Sequence, residues 1–476
     1  MTDPLLVAPA PGKPLLLLGA FDIGSVGYTA EEFFVSGTAS SYTPTAELSP
    51  DGRWDVTPSG AADYTTRIVV LTPTDRARCP DFNGTVLVEW LNVSGGIDAP
   101  AVWMMAHREI IRAGYAYVAV SAQRVGVEGG ASMLGIDMSL KSQDPTRYAP
   151  LRHPGDAFSY DIFSQIGRLI RNPGPNAVLR GLGVRHAVAV GESQSAMFLT
   201  TYVNAVDPLA RSYDGFLVHS RFGPAAPLDG SSIFRESQDG AADAVRFRPD
   251  LRVPLVAIIT ETDVFGDVRH GYYFARQPDN HGLRVWEIPG AAHADNYTIQ
   301  VAPIDSGSAP IDEIAAAYAP TNILMGQHLP HYINFGPQHH YVTQAALSAL
   351  NSWVQTAKPA PAAAPIDAQD ADRPRPVLDS HGLARGGVRT PWVDVPIART
   401  SGLITSEIGP ASVMAAIFGS GEPFDVATLH RLYPGGSFQY LELFTAALDG
   451  AILAGFILPA DRAEILELAA AVYPVG

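Results

Sequence analysis

The stretch Val188-Ala189-Val190-Gly191-Glu192-Ser193-Gln194-Ser195-Ala196-Met197-Phe198-Leu199 constrains this chain more than any other. A β-branched, apolar run stops at a glycine, a serine follows two positions on, and a helix-forming segment begins. The pattern predicts strand, sharp turn and helix with Ser193 at the tip. Strand and helix backbones pass close together in such a turn, so its flanks need small residues, and Gly191 and Ser195 supply them. The helix N-terminus then directs its free N–H groups and positive dipole end at whatever the serine attacks. A capped turn of no chemical consequence can share the pattern, so the rest of the chain must supply a base, an acid and an anion-holding loop.

Around this turn the sequence alternates strand and helix. Residues 32–39 and 65–71 read as early strands joined through the turn Ser49-Pro50-Asp51-Gly52. Residues 84–91 are a third strand, followed by a helix over 101–113 and a strand over 117–120. Phe158, Ile162, Ile166, Leu169 and Ile170 fall near helical spacing, and Asn172-Pro173-Gly174 marks that helix's stop. Strands over 215–218, 254–259 and 283–288 and a closing helix over 342–354 complete the series. The order predicts an α/β fold, a mostly parallel central sheet with helices on both faces. Three segments break the repeat, at about 123–155, 221–251 and 294–336, and read as lid insertions. The expected layout is a catalytic domain over 1–357, an Ala/Pro/Asp-rich linker over 358–378, and a C-terminal extension over 379–476 packed on the core.

A serine hydroxyl is a weak nucleophile at neutral pH. It needs a base within hydrogen-bond reach, and the base needs a third group to fix its tautomer. When the serine sits on a strand-to-helix elbow, the chain order is serine, acid, histidine. His293, in Pro289-Gly290-Ala291-Ala292-His293, follows a strand end and has small neighbours, so it is the expected base. The acid is Asp263 or Glu261 in Thr260-Glu261-Thr262-Asp263; Asp263 is preferred, and the longer Glu261 side chain keeps the alternative open. Asp295 is a third, more structural candidate. Two N–H donors must meet the oxyanion of a tetrahedral intermediate. The backbone N–H of Gln194 is one, and the loop Asn92-Val93-Ser94-Gly95-Gly96 offers the other through Asn92, by backbone or amide, or through Val93. Glu192 and Arg124 are expected to meet the substrate, Arg124 by holding a carboxylate of the substrate or of a lid. Among the other histidines, His219 ends a buried strand, His339 and His340 open the closing helix where they can act as caps, and His153 positions a loop.

Composition narrows the partners. With 47% hydrophobic residues a sizeable core is within reach, and a net charge of −16 disfavours nucleic acid and anionic membranes. No run is long enough to cross a membrane, and Leu15-Leu16-Leu17-Leu18 lacks the basic lead of a secretory signal. A soluble, cytoplasmic protein is expected. The single cysteine, Cys79, allows no internal disulfide, no histidine pair has metal-ligand spacing, and no metal or cofactor is called for. Oligomeric state stays open.

The chain resembles the bacterial and fungal alpha/beta-hydrolase-domain family that carries a C-terminal extension. The similarity runs through residues 32–39, 88–96, the elbow at 191–195, Thr260-Glu261-Thr262-Asp263-Val264, and 382–391. It implies an alpha/beta-hydrolase fold and a nucleophile at Ser193, with Ser195 departing from the glycine usual in the wider superfamily. The expected reaction is hydrolysis of a small-molecule carboxylic ester through an acyl-enzyme. Acyl transfer or lactone or amide cleavage by the same residues, and a binding protein without turnover, are the alternatives.

Overall fold

The computed structural model describes residues 5–172, 177–233, 243–266, 270–404 and 412–474. Its centre is a nine-stranded sheet: β1 (Leu6–Pro9), β2 (Tyr28–Pro44), β3 (Val56–Pro73), β4 (Thr85–Trp90), β5 (Ala116–Val120), β6 (His186–Glu192), β7 (Gly215–His219), β8 (Leu255–Thr260) and β9 (Leu283–Ile288). The spatial order is β1-β2-β3-β5-β4-β6-β7-β8-β9. The first three strands and the β3–β5 contact are antiparallel; from β5 to β9 every pairing is parallel. Every residue of β4, β5, β7 and β8 is buried, as strands covered on both faces require.

Alternation along β4 divides the core. Val86, Val88 and Trp90 face one cluster, built on the helix Ser159–Arg171 and the helix Gln194–Thr201. Leu87 and Leu91 face the other, built on Val102, Trp103, Ala106 and Ile110 of the helix Ala101–Arg112 and on Leu347 and Leu350 of the helix Gln338–Thr356. Glu89 points to this second side and its carboxyl accepts the Val102 and Trp103 N–H groups at 2.8 and 3.0 Å. It thereby satisfies the opening turn of that helix, whose preceding residue, Pro100, has no side chain to do so.

The expected strands and helices are present; the two early strands and the closing helix run longer at both ends, and the others agree to within two residues. The edge strand β1 went unread, being four residues long and ending in a proline. The stop at Pro173-Gly174 lies outside the described residues, and the helix before it ends at Arg171. His339 and His340 do not cap the closing helix; both are buried within its first turn. The segment expected as a linker is not a loose tether. Ala360 and Pro361 carbonyls accept from Arg284 Nε (2.9 Å) and Trp286 Nε1 (2.8 Å), and the Ile366 N–H donates to Glu287 (2.8 Å). The polar groups of β9 hold this proline-rich backbone down, and Ile366 is fully buried.

Beyond it, a small hairpin pairs Ala398–Ser401 with Ser420–Pro423, and the helices Val426–Leu432, Gly436–Ala454 and Arg462–Val472 follow. Arg108 bridges Asp305 and Glu464 (2.7 Å each), and Arg112 pairs with Asp461, so the helix Ala101–Arg112 is tied to the last helix. No helix among the described residues is long and apolar enough to cross a membrane.

Candidate active site

The elbow is built as its residue types require. β6 ends at Glu192, and the helix Gln194–Thr201 starts one residue after the turn. Ser193 stands between them at φ 57°, ψ −117°, a conformation that costs a residue with a Cβ and persists only where neighbours hold it. The Ser193 N–H donates to the His219 carbonyl at 2.9 Å, fastening the tip to β7. Gly191 is needed because a Cβ there meets Leu199 and the Ser195 hydroxyl. Ser195 does more than stay small: its Oγ accepts the Glu192 N–H (3.0 Å) and donates to the Glu192 carbonyl (2.8 Å), cross-bracing the turn.

Two further loops leave the same edge of the sheet. His293 follows β9, and its Nε2 lies 2.8 Å from Ser193 Oγ. Its Nδ1 lies 2.6 Å from Asp263 Oδ1. Phe222 stacks on the imidazole, centroids 5.2 Å apart. Asp263 is fully buried. Its other oxygen accepts the Thr260 N–H (2.9 Å) and hydroxyl (2.7 Å), while its own N–H donates to Thr260 Oγ1, a reciprocal cap on the short helix Glu261–Phe265. Facing a carboxylate, Nδ1 keeps the proton, and Nε2 offers its lone pair to the serine.

Glu261 is turned elsewhere. Its carboxyl accepts Gly290 N–H (2.8 Å), Ser401 Oγ–H (2.5 Å) and Gly402 N–H (3.1 Å). The alternative acid is thus an anchor for the C-terminal hairpin. Asp295 accepts from Thr298 N–H and hydroxyl, at 3.1 and 3.2 Å, and also lies away from His293 Nδ1.

The loop after β4 departs from expectation at Asn92. Its backbone N–H already donates to Ala99 (3.0 Å), and its amide donates to the Glu192 carbonyl (3.2 Å) and carboxyl (3.0 Å). Both donors are committed, so Asn92 braces the elbow rather than offering a hand to substrate. Val93 N–H makes one long bond, 3.3 Å to the Gln194 side chain. That side chain in turn donates to Gln123 (2.7 Å), which also accepts from Trp90. The Gln194 N–H opens its helix and has no partner within it.

A family model described as an alpha/beta hydrolase domain matches residues 2–467. The chain belongs to that family. No curated protein matches it. Among solved structures it is similar to a fungal esterase from Rhizomucor miehei, at 11% identity and TM-score 0.28, over 57% of this chain and 78% of that one. It is similar to the methylesterase BT1017 at 14% identity and TM-score 0.32, over 68% of each chain. The siderophore hydrolase EstA from Aspergillus nidulans aligns at 13% identity and TM-score 0.25, over 54% of this chain and 74% of that one. Scores and identities this low say nothing about the substrate.

Over Ser193, this alpha/beta hydrolase has a partly open cavity of about 270 Å³. Met104 and Met105 come from the helix Ala101–Arg112, Met133 and Leu134 from the first insertion, Phe222 and Ile233 from the second, and Thr298 from the third. Met414, Ile417 and Phe418 reach in from the C-terminal extension. Residues 234–242 of the second insertion lie outside the described residues. Five of the chain's eight methionines line this cavity, side chains that reshape around their contents; the sequence reading missed them because they are scattered along the chain. Arg124 is not part of this wall. Its side chain is exposed and borders a second hollow with Asp156 and Asp229, which meets the first at Gln194 and Ile233. Asp156 takes the Arg124 backbone N–H (2.7 Å), starting a short helix there.

Glu192 does line the cavity, with Oε1 3.6 Å from His293 Nε2. Burial pushes its carboxyl up from an ordinary 4.5 to about 7, with His293 opposing and Asp263 adding to the rise. Folding therefore favours the protonated carboxyl. The stability this group contributes is full below the ordinary glutamate range and is lost as pH rises through about 7. Glu192→Gln, which cannot ionise, is expected to gain about 2 kcal/mol on the wild type between pH 5 and pH 8, read from urea midpoints at both pH values. A constant gap between the two proteins contradicts this.

Proposed function

We propose that this protein is a serine hydrolase that cleaves carboxylic esters through an acyl-enzyme. The observation that carries the reading is the unbroken line from Ser193 Oγ through His293 to Asp263, at 2.8 and 2.6 Å, opening on an apolar cavity. Ser193 Oγ attacks the ester carbonyl while its proton passes to His293 Nε2. The imidazolium, held by Asp263, then gives that proton to the departing alkoxide as the C–O bond breaks. Water, deprotonated by the same nitrogen, releases the acid and restores the serine. Gln194 N–H and Val93 N–H receive the oxyanion, the weak 3.3 Å bond of Val93 giving way to a stronger acceptor. This chemistry needs no cofactor. We assign residues 1–357 to the catalytic domain, the three insertions to its cover, and 379–476 to an extension that completes the cavity wall.

A fluorophosphonate probe tests the reading. The expected result is one phosphonyl group per chain, mapped to the peptide bearing Ser193, with aryl-ester turnover lost in step with labelling. Turnover that survives full labelling, or a label on another residue, overturns it. A hydrogen-bonded base and acid behind the serine favour turnover over mere binding, which needs neither.

A further inference from the structure

Glu192 leaves one carboxyl oxygen uncommitted beside the serine. Its Oε2 accepts the Asn92 amide at 3.0 Å. Its Oε1 lies 3.6 Å from His293 Nε2, too far for a hydrogen bond, and that nitrogen already meets Ser193 Oγ at 2.8 Å. Oε1 has no hydrogen-bond donor among the described residues. It differs from His219 Nδ1 and Asp295 Oδ2, which are closed off without a partner. The Glu192 side chain keeps 11% of its surface accessible, and it lines the cavity over Ser193. Oε1 is therefore open to whatever fills that cavity.

The rest of the wall brings this oxygen no cation. No Lys or Arg lines the cavity among the described residues, and most of the wall is methionine, leucine, isoleucine and phenylalanine. His219, also in the wall, meets His339 Nε2 to Nε2 at 2.8 Å. Burial pushes His219 well below its usual range, so that ring is neutral. The charges behind the wall are acidic. Asp263 stands behind His293, and Asp295 stands 3.4 Å behind His339 Nδ1. An apolar cavity with carboxylates behind it and no cation of its own attracts positive charge. Burial drives the Glu192 carboxyl up to about 7; His293, the Asn92 amide and His339 oppose the rise, and Asp263 adds to it. A cation carried in by a ligand reverses that balance, because an opposite charge within hydrogen-bond reach favours the ionised carboxyl.

We propose that Glu192 is a substrate-recognition residue whose Oε1 accepts an N–H from an ammonium group carried by the ester. The inference rests on the reading of this cavity as an ester site. The substrate class it names is the aminoalkyl ester, with its nitrogen on the acyl or the alcohol side. The spacer between nitrogen and ester is short, because Oε1 lies beside the histidine nitrogen that serves both the attacking serine and the leaving oxygen.

Matched esters separate the two sources of the charge. 2-(Dimethylamino)ethyl butanoate against 3-methylbutyl butanoate tests the alcohol side. Methyl 3-(dimethylamino)propanoate against methyl 4-methylpentanoate tests the acyl side. In each pair a C–H takes the place of the ammonium N–H, and the shape is kept. The readout is the ratio of kcat/KM within a pair at pH 7. In one arm Glu192→Gln, which keeps the size and loses the charge, is expected to lower the wild-type preference for the ammonium ester about tenfold or more. A ratio that Glu192→Gln leaves unchanged in both arms overturns the proposal. A variant equally slow on all four esters is such a case, and would tie the carboxyl to His293 instead. A measurement on Ser193→Ala protein needs no turnover. At pH 6 the Glu192 carboxyl is mostly protonated, so binding the ammonium ester should release about half a proton or more, and binding its neutral partner none. Calorimetry in buffers of different ionisation enthalpy reads this, and binding of both ammonium esters without proton release overturns the proposal. If the release is found and the wild type cleaves no ester, the hydrolytic reading fails and the recognition role of Glu192 stands.

Discussion

Ser193→Ala is expected to lower kcat toward an aryl ester by about 10⁶-fold, and Asp263→Asn by about 10⁴-fold. The two numbers differ because the residues act at different removes from the ester. Removing the hydroxyl removes the bond-forming atom, and what survives is the help given by the oxyanion donors and by binding. Replacing Asp263 with asparagine leaves the serine and the histidine in place. It puts an amide where a carboxylate faced His293 Nδ1 at 2.6 Å. The amide can present N–H to that nitrogen, which draws the imidazole proton to Nε2 and leaves no lone pair for Ser193. The imidazolium of the transition state also loses its counter-charge. Because Asp263 Oδ2 caps its own helix through Thr260, the variant should be checked for a native unfolding midpoint. Steady-state kinetics on folded protein then decide: a loss under tenfold for Asp263→Asn removes this residue from the proposed triad.

Glu261→Leu is expected to do the reverse, costing about 4 kcal/mol of stability. Three buried donors lose their acceptor at once: Gly290 N–H, Gly402 N–H and the Ser401 hydroxyl. Leucine fills much of the volume but accepts nothing. Burial raises the Glu261 carboxyl above its ordinary value, and these three bonds oppose that rise. Glu261→Gln keeps an acceptor oxygen and should lose less than half as much. Urea unfolding of the two variants and the wild type measures both. If Glu261→Leu unfolds within 1 kcal/mol of the wild type, the three bonds carry no net weight. Two acids two residues apart are thus separable: one loss appears in the rate and the other in the unfolding curve.

The neighbourhood of Ser193 was legible because its information is local. A strand, a glycine, a serine and a helix in twelve consecutive residues leave little choice of geometry, and the order serine, acid, histidine follows from parallel strands delivering their loops to one edge. The choice between Glu261 and Asp263 had a local signal that went unread. Thr260-Glu261-Thr262-Asp263 is a capping-box pattern, and the box turns the third residue of the helix back toward the strand end, where His293 lies. Asn92 could not be read this way. Its amide is occupied by Glu192, a hundred residues away, and only the paired ends of β4 and β6 bring them together. The same holds for His219 and His339, which are 120 residues apart. Arg124 was misjudged for a simpler reason: it follows β5 at the correct edge of the sheet, but its side chain turns outward where Asp156 opens a helix turn. The segment 358–378 has the composition of a tether, and composition is silent about the acceptors and donors that β9 holds out to it.

Ser401 and Gly402 grip the loop that carries Asp263, and Thr262 fastens the same point from the other side, donating to the Gly402 carbonyl at 2.5 Å while accepting the His293 N–H at 3.1 Å. Gly402 is made 141 positions after Glu261. During synthesis the nascent polypeptide therefore exposes its serine, its aspartate and its histidine well before the clamp that steadies two of them has left the ribosome. On the proposed reading, a product ended before Ser401 would carry all three of these groups without the bonds that steady two of them.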